Sequence, residues 1–92
     1  MLRDKPFAPE PAVLALQALA AVAADEAMGP RFLALTGMDA SQLRGSADKP
    51  ATLLALLDYL MANEPDLVAT ADAIGTTPAA LAGAARALGG DW

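Results

Sequence analysis

The feature that most constrains this chain is an apolar run, VLALQALAAVAA at residues 13–24, in which Gln17 is the single polar side chain. A helix of that length rises about 18 Å, whereas the hydrocarbon layer of a bilayer is about 30 Å thick, so the run is too short to span a membrane. A secretory signal peptide is the alternative, because Arg3 and Lys5 precede the run and small residues end it. Two acidic residues and three prolines before the run argue against that alternative. We therefore interpret the run as a buried core helix that begins near Pro11.

A second apolar run at residues 51–62 has a similar length and character. At an offset of 38 residues the sequence also matches itself elsewhere. Gly37 and Gly75 each follow an apolar segment, where a helix commonly ends in a left-handed residue. Asp39 and Thr77 are suited to cap the helices that follow. The sequence predicts two tandem three-helix units, with chance matching between alanine-rich helices as the alternative. The matching pairs are Leu16 with Leu54, Leu19 with Leu57, Ala24 with Ala62, Glu26 with Glu64, Gly37 with Gly75, Leu43 with Leu81, Gly45 with Gly83 and Ala47 with Ala85.

Composition agrees with an all-α fold. Hydrophobic residues make up 55% of the 92 residues and aromatic residues 4%, so the core is built mostly from Leu, Ala, Val and Met. A chain of this length has room for one domain. We predict a compact bundle of five to six helices over residues 1–92, with a loose N-terminal segment at 1–9 and a flexible tail at 89–92. The predicted helices lie at about 10–24, 28–36, 39–46, 50–62, 64–74 and 78–88.

The chain lacks the residues of most catalytic sites. It contains no Cys and no His, which removes disulfides, the usual zinc and haem ligands, and a Cys or His nucleophile or base. The acidic pairs Asp25-Glu26 and Glu64-Asp66 fall at helix junctions, where carboxylates stabilise helix N-termini. Ser41 and Ser46 have no visible base. We predict no enzyme activity, no cofactor and no metal, with a carboxylate-based metal enzyme as the least favoured alternative.

The segment at residues 71–88 resembles a helix-turn-helix, in which a turn joins a supporting helix to a recognition helix. A recognition helix needs cations and amides directed at DNA, yet only Arg86 is available in its second helix. The segment around Gly37 is better supplied, with Gln42, Arg44 and Lys49. The net charge of −5 opposes binding to phosphates. Nucleic-acid binding is therefore the second hypothesis, ranked behind protein binding.

Arg31, Arg44 and Lys49 are the cations most suited to form a basic spot on an acidic surface. Local ion pairing with Asp39 or Asp48 is the alternative. Trp92, which follows two glycines, is the fourth candidate interaction residue, because an indole suits an apolar groove; a disordered terminus is its alternative.

Two aromatic residues have more ordinary expected roles. Phe32 is predicted to lie in the core, and Tyr59 at the core edge with its hydroxyl in water. The second apolar run is apolar nearly all round its helix. A homodimer that covers part of this surface is therefore an alternative to its burial within one chain.

The run RFLALTGMDASQLR at residues 31–44, with LLDYL at 56–60, Glu64 and AARALG at 84–89, resembles a family of short bacterial proteins known as domain of unknown function 3572. The likeness extends from about Pro11 to Gly90. It departs from the family pattern at Thr52 or Leu53 and at Thr70, where aromatic residues are expected. The resemblance implies a small helical cytoplasmic protein and transfers no catalytic or binding residues. It also directs mutagenesis to the patch of Arg31, Phe32, Thr36, Gly37, Leu43 and Arg44.

The sequence therefore favours a non-enzymatic protein–protein interaction or adaptor module that binds an unknown protein partner in the cytoplasm, without a membrane. A helix-turn-helix protein that binds nucleic acid is the alternative.

Overall fold

The computed structural model describes residues 10–89, in which every regular element is an α-helix and no strand occurs. Turns of two or three residues join consecutive helices. The predicted all-α bundle is confirmed, and each predicted helix end lies within one residue of the observed end. The helices are α1 (Pro11–Ala24), α2 (Met28–Thr36), α3 (Ala40–Ser46), α4 (Pro50–Met61), α5 (Glu64–Ile74) and α6 (Pro78–Ala87).

Local sequence signals fix the helix ends. Proline lies in the first two positions of α1, α4, α5 and α6, where its missing N–H is not needed and its fixed φ suits a helix. Gly37 and Gly75 end α2 and α5 with φ of 75° and 74°, a left-handed conformation that glycine adopts without strain. Asp39 and Thr77 then cap α3 and α6 by accepting hydrogen bonds from backbone amides at 2.8 Å and 3.1 Å. At the 38-residue offset the end of α2 thus matches that of α5, and the start of α3 that of α6, while descent from a duplicated unit stays a prediction.

Helix α1 occupies the centre of the bundle, where it packs against α2, α4, α5 and α6. Ala15 and Ala18 are fully buried on it, and their small side chains allow neighbouring helices to approach closely. Helix α4 contributes six buried residues, including the fully buried Leu56, Leu57 and Leu60. Helices α1, α2, α5 and α6 all contact it, while a homodimer stays a prediction.

The two halves differ in how completely their last helices are packed. Helix α6 contacts α1, α4 and α5 and buries Leu81, Ala84 and Ala85. Helix α3 makes no comparably extensive contact with another helix of residues 10–89, and Leu43 is its one buried residue. Helices α2 and α3 therefore form the less enclosed end of the bundle.

Within residues 10–89, no single helix has both the length and the apolar character needed to cross a bilayer. Taken together, α1 and α2 reach that length and composition, but the chain bends by 108° between them. The predicted loose segment at 1–9 lies outside the described residues, as does the tail beyond Gly89.

Candidate functional site

The three cations predicted to form a basic spot lie on three different elements. Arg31 is in α2, Arg44 is in the last turn of α3, and Lys49 is the N-cap residue of α4. All three are exposed. The fourth candidate, Trp92, lies outside the described residues. The cations must therefore be considered one at a time, by what each side chain contacts.

Arg31 belongs to a polar cluster with Tyr59 of α4 and Asp66 of α5. Its Nη1 donates to Asp66 Oδ2 at 2.5 Å and to the Tyr59 hydroxyl at 3.5 Å. The Tyr59 hydroxyl in turn donates to the same Asp66 oxygen. Asp39 and Asp48, the pairing partners considered for Arg31, are not the ones it uses. The cluster instead ties α2 to α4 and α5 through one carboxylate.

One sequence-based prediction about this cluster is wrong. Tyr59 was expected to direct its hydroxyl into water, but the residue is 5% exposed and its hydroxyl binds Asp66. Asp66 lies in the first turn of α5, at the helix N-terminus where the sequence predicts it. Its carboxylate reaches across to α2 and α4 because the short α4–α5 turn brings the start of α5 beside the end of α4.

The surroundings of the cluster shift two of its pKa values. The hydrogen bond to Asp66, followed by that to Tyr59, raises the pKa of Arg31, so its guanidinium stays charged. Burial raises the pKa of Tyr59 above the ordinary 10.0, and its hydrogen bond to Asp66 raises it further, while Arg31 opposes the shift. Tyr59 is accordingly a neutral hydrogen-bond donor at physiological pH. We call this cluster of Arg31, Tyr59 and Asp66 the clip, because it links α2, α4 and α5.

Apolar contacts hold α2 in the same place. Phe32 is 1% exposed, which confirms its predicted core position, and its ring centroid lies 5.7 Å from that of Tyr59. Thr70 of α5 is fully buried and its hydroxyl donates to Met28 Sδ at 3.5 Å. One flank of α2 is thereby fixed to α4 and α5.

The start of α2 is stabilised by Asp25, as the sequence predicts for an acidic residue at that junction. Its Oδ1 accepts hydrogen bonds from the amides of Ala27 and Met28, both at 2.8 Å. These two bonds are the main reason that the pKa of Asp25 is lowered. Among the described residues, no three acidic side chains converge in a way that would hold a metal ion.

A pocket of about 270 Å³ lies on the other flank of α2. It is bounded by α2, by α3 and by the C-terminal end of α1. Six of its seven lining residues are apolar or glycine, and the seventh is Arg44. Leu43, the buried residue of α3, contributes to it as well. The lining residues are Ala23, Gly29, Pro30, Leu33, Ala40, Leu43 and Arg44.

Gly29 allows α1 and α2 to meet at the base of this pocket. A Cβ placed on Gly29 would lie 3.1 Å from the carbonyl oxygens of both Val22 and Ala23. Any larger residue would push the start of α2 away from the end of α1, because backbone atoms yield less readily than side chains. Gly29 therefore sets the angle and spacing of the wall to which Pro30 and Leu33 belong.

The pocket and the clip lie on opposite sides of α2. Successive residues of an α-helix are turned by about 100°, so Arg31 and Leu33 are about 160° apart around the helix axis. Arg31 accordingly binds Asp66 of α5, whereas Leu33 lines the pocket together with Arg44. The structure thus brings Arg44 to a concave apolar surface and commits Arg31 to an ion pair.

Sequence reasoning named Leu43 and Arg44 but missed the other pocket residues. The signal that would have found the site is the Gly29-Pro30 pair at the start of a helix, where glycine permits close contact and proline leaves one face without an amide donor. Leu35, also missed, is 65% exposed, more than any other large apolar side chain in the described part of the chain.

These features define a small all-α protein with an apolar, arginine-bearing pocket and a separate structural ion pair. The chain belongs to the family described as "Protein of unknown function (DUF3572)", whose family model matches residues 8–91. This match confirms the resemblance drawn from residues 31–44. The comparisons with curated proteins and with solved structures found no match.

Proposed function

We propose that this protein is a non-enzymatic protein–protein interaction module whose contact surface is the α2–α3 end of the bundle. The observation that carries the proposal is the pocket between α1, α2 and α3, whose lining combines apolar residues with Arg44. Concave apolar sites with a few polar groups are where proteins usually bind their ligands. Arginine and buried apolar anchors are also the residues that contribute most to binding at protein interfaces.

The chemistry of the chain supports binding in preference to catalysis. No His or Cys occurs in the sequence, so a His base and a Cys nucleophile are missing. The acidic residues with defined contacts, Asp25, Asp39 and Asp66, are engaged in helix caps or in the clip. A cytoplasmic location belongs to the proposal, because the chain carries no cysteine for disulfide bonds.

Nucleic-acid binding remains the second hypothesis, and the site favours it less. Helix α3 has seven residues, so it presents two turns at most to a groove. Helix α6 is longer but contains Arg86 as its one cation. A net charge of −5 adds a repulsive field that either helix would have to overcome.

The test is affinity capture from the cytosol of the source cell with three forms of the protein. These are the wild type, Arg44→Glu at the pocket, and Arg86→Glu as the matched charge reversal on α6. Both arginines are exposed and in the last turn of their helices, so the two substitutions should cost similar stability. Circular dichroism and thermal unfolding first establish that all three are equally folded.

A protein captured by the wild type and by Arg86→Glu, but lost with Arg44→Glu, would support the proposal. Capture that is unaffected by Arg44→Glu would place the interaction elsewhere on the molecule. Recovery of nuclease-sensitive material alone, with a steep dependence on salt, would favour the helix-turn-helix hypothesis instead.

A further inference from the structure

The pocket combines two kinds of chemistry in a small space. Its lining is formed by aliphatic and glycine residues of α1, α2 and α3 together with Arg44 of α3. Apolar walls favour binding of a hydrocarbon group, because its transfer out of water lowers the free energy. An arginine at the edge of such a wall favours an anion, and its planar fork of N–H donors fits a carboxylate with two parallel hydrogen bonds.

The size of the pocket limits what can provide both groups. Its volume of about 270 Å³ is just below the range of about 300–1,000 Å³ that is typical of small-molecule sites. An apolar group and a carboxylate therefore have to belong to one compact unit. An internal Asp or Glu of a partner helix would place the carboxylate and its apolar neighbour on different residues, three or four positions apart.

The C-terminal residue of a protein chain meets this requirement, because one residue carries both an apolar side chain and a free carboxylate. Capture of a terminal carboxylate is an established way for proteins to recognise peptides. The net charge of the molecule also favours a carboxylate at this pocket over one elsewhere on the surface. On a protein of net charge −5, a carboxylate is attracted only where a local cation outweighs the overall field, and Arg44 supplies one beside the apolar walls.

The acidic residue that caps α3, Asp39, does not compete for Arg44. The Asp39 side chain lies at the opposite end of the helix, where its Oδ1 accepts a hydrogen bond from the Gln42 amide at 2.8 Å. Gln42 returns a hydrogen bond by accepting from the Asp39 amide, also at 2.8 Å. This capping box fixes the start of α3, and with it the direction in which Leu43 and Arg44 project.

We propose that the pocket binds the C-terminal residue of a partner protein, with its apolar side chain against Leu33 and Leu43 and its carboxylate on Arg44. This inference rests on the proposed function, because it names the part of the partner that the α2–α3 end recognises. The partner accordingly ends in a medium-sized apolar residue such as Leu, Ile or Met. An alanine side chain would leave the pocket mostly empty.

The test uses synthetic peptides and the full chain, followed by NMR. The first probe is acetyl-Ala-Ala-Leu with a free carboxylate, and the second is the same peptide ended by a carboxamide. The third is acetyl-Ala-Ala-Ala with a free carboxylate, and the fourth is octanoate, which carries the same two groups without a peptide. Signals of the Leu33 and Leu43 methyl groups and of Arg44 Nε report on the pocket.

For the first probe we expect a dissociation constant on the order of 1 mM, as suits a fragment of this size, with shifts confined to the pocket. The carboxamide and the alanine peptide should each bind at least tenfold more weakly. Arg44→Gln should lose the preference for the free carboxylate, whereas Arg86→Gln should keep it. Both arginines are exposed, and the dispersion of the amide spectrum confirms that each variant is folded.

Equal binding of the free carboxylate and the carboxamide would overturn the inference, and so would shifts that avoid the pocket. Octanoate binding tighter than every peptide would also overturn it, by making the pocket a site for free carboxylic acids. These outcomes are separate from the capture experiment. A captured partner that depends on Arg44, combined with indifference to the peptide carboxylate, would keep the proposed function and reject the C-terminal ligand.

Discussion

The α2–α3 and α5–α6 pairs begin from the same local plan and end in different packing. In each pair, a helix ends at a left-handed glycine and a capped helix follows. Yet α5 and α6 contact each other and the central helices, while α2 and α3 leave a pocket between them. Helix caps therefore set where helices begin and end, but they do not determine how closely two capped helices pack.

Side-chain size at matched positions accounts for the difference. Ala71 of α5 is 1% exposed, whereas Leu33, at the equivalent position of α2, is half-buried and lines the pocket. Likewise Ala84 of α6 is buried, but α3 carries Ser46 there, whose hydroxyl donates to the Gln42 carbonyl at 2.9 Å. Small side chains close the α5–α6 pair, and a large or polar side chain holds the α2–α3 pair open.

The largest expected effect comes from truncating the matched leucines. Leu81 is fully buried in α6, while Leu43 is 7% exposed in α3 and borders the pocket. Leu81→Ala should lower the free energy of unfolding by about 4 kcal/mol, because a closed core would keep the cavity. Leu43→Ala should cost about 2 kcal/mol, because it enlarges a space already open to water. Urea unfolding measures both losses of free energy. Equal losses would show that Leu43 is packed as tightly as Leu81.

An exchange of size at the second matched position should cost less. Ala71→Leu places a larger side chain in a fully packed site and should destabilise by about 2 kcal/mol through overpacking. Leu33→Ala removes a half-buried side chain and should cost about 1 kcal/mol. Thermal unfolding of the two variants decides the point. If Ala71→Leu were neutral, the closeness of α5 and α6 would have to come from something other than small side chains.

Tyr59→Phe tests whether the clip fixes α2 to the closed half. The substitution leaves Asp66 with one donor fewer and should lower the free energy of unfolding by about 1 kcal/mol. Because the folded-state pKa of Tyr59 is raised above 10.0, the associated stability is present below pH 10.0 and is lost as the pH rises above it. The sequence contains one tyrosine, so phenolate absorbance follows this group alone. An ordinary tyrosine titration, or an unchanged alkaline stability profile in Tyr59→Phe, would contradict the clip.

The smallest expected effect is a gain at two matched glycines inside helices. A Cβ at Gly45 would have no atom within 4 Å, and one at Gly83 would meet only the end of Arg86 at 3.9 Å. Alanine should therefore stabilise each helix by up to about 1 kcal/mol. The full gain should appear in global unfolding for Gly83→Ala. For Gly45→Ala we expect a smaller gain in global unfolding, because a sparsely packed helix opens locally. The rest of the gain should appear as slower amide hydrogen exchange within α3. Equal gains in global unfolding would show that α3 is as firmly integrated as α6.

The sequence predicted most of the fold because the relevant signals are local. Proline at helix starts, left-handed glycines and side-chain caps act within four residues, so they can be read without knowing the tertiary structure. The link from Asp66 to Arg31 was not predictable in that way, since it depends on the angle between α4 and α5. The pocket was missed for a similar reason. Leu33 and Leu43 line it from two different helices, whereas sequence periodicity shows only that both are apolar.

The central position of α1 has a consequence for how this protein is made. The helix is synthesised before α4, α5 and α6, which supply most of its packing partners. Before α6 has left the ribosome, Leu14, Leu19 and Val22 therefore lack part of the surface that buries them in the finished bundle. Folding of the nascent chain has to await contacts between distant parts of the sequence. Sequestration of this helix by a chaperone, or its early pairing with α2 alone, would govern how much of the newly made protein reaches the folded state.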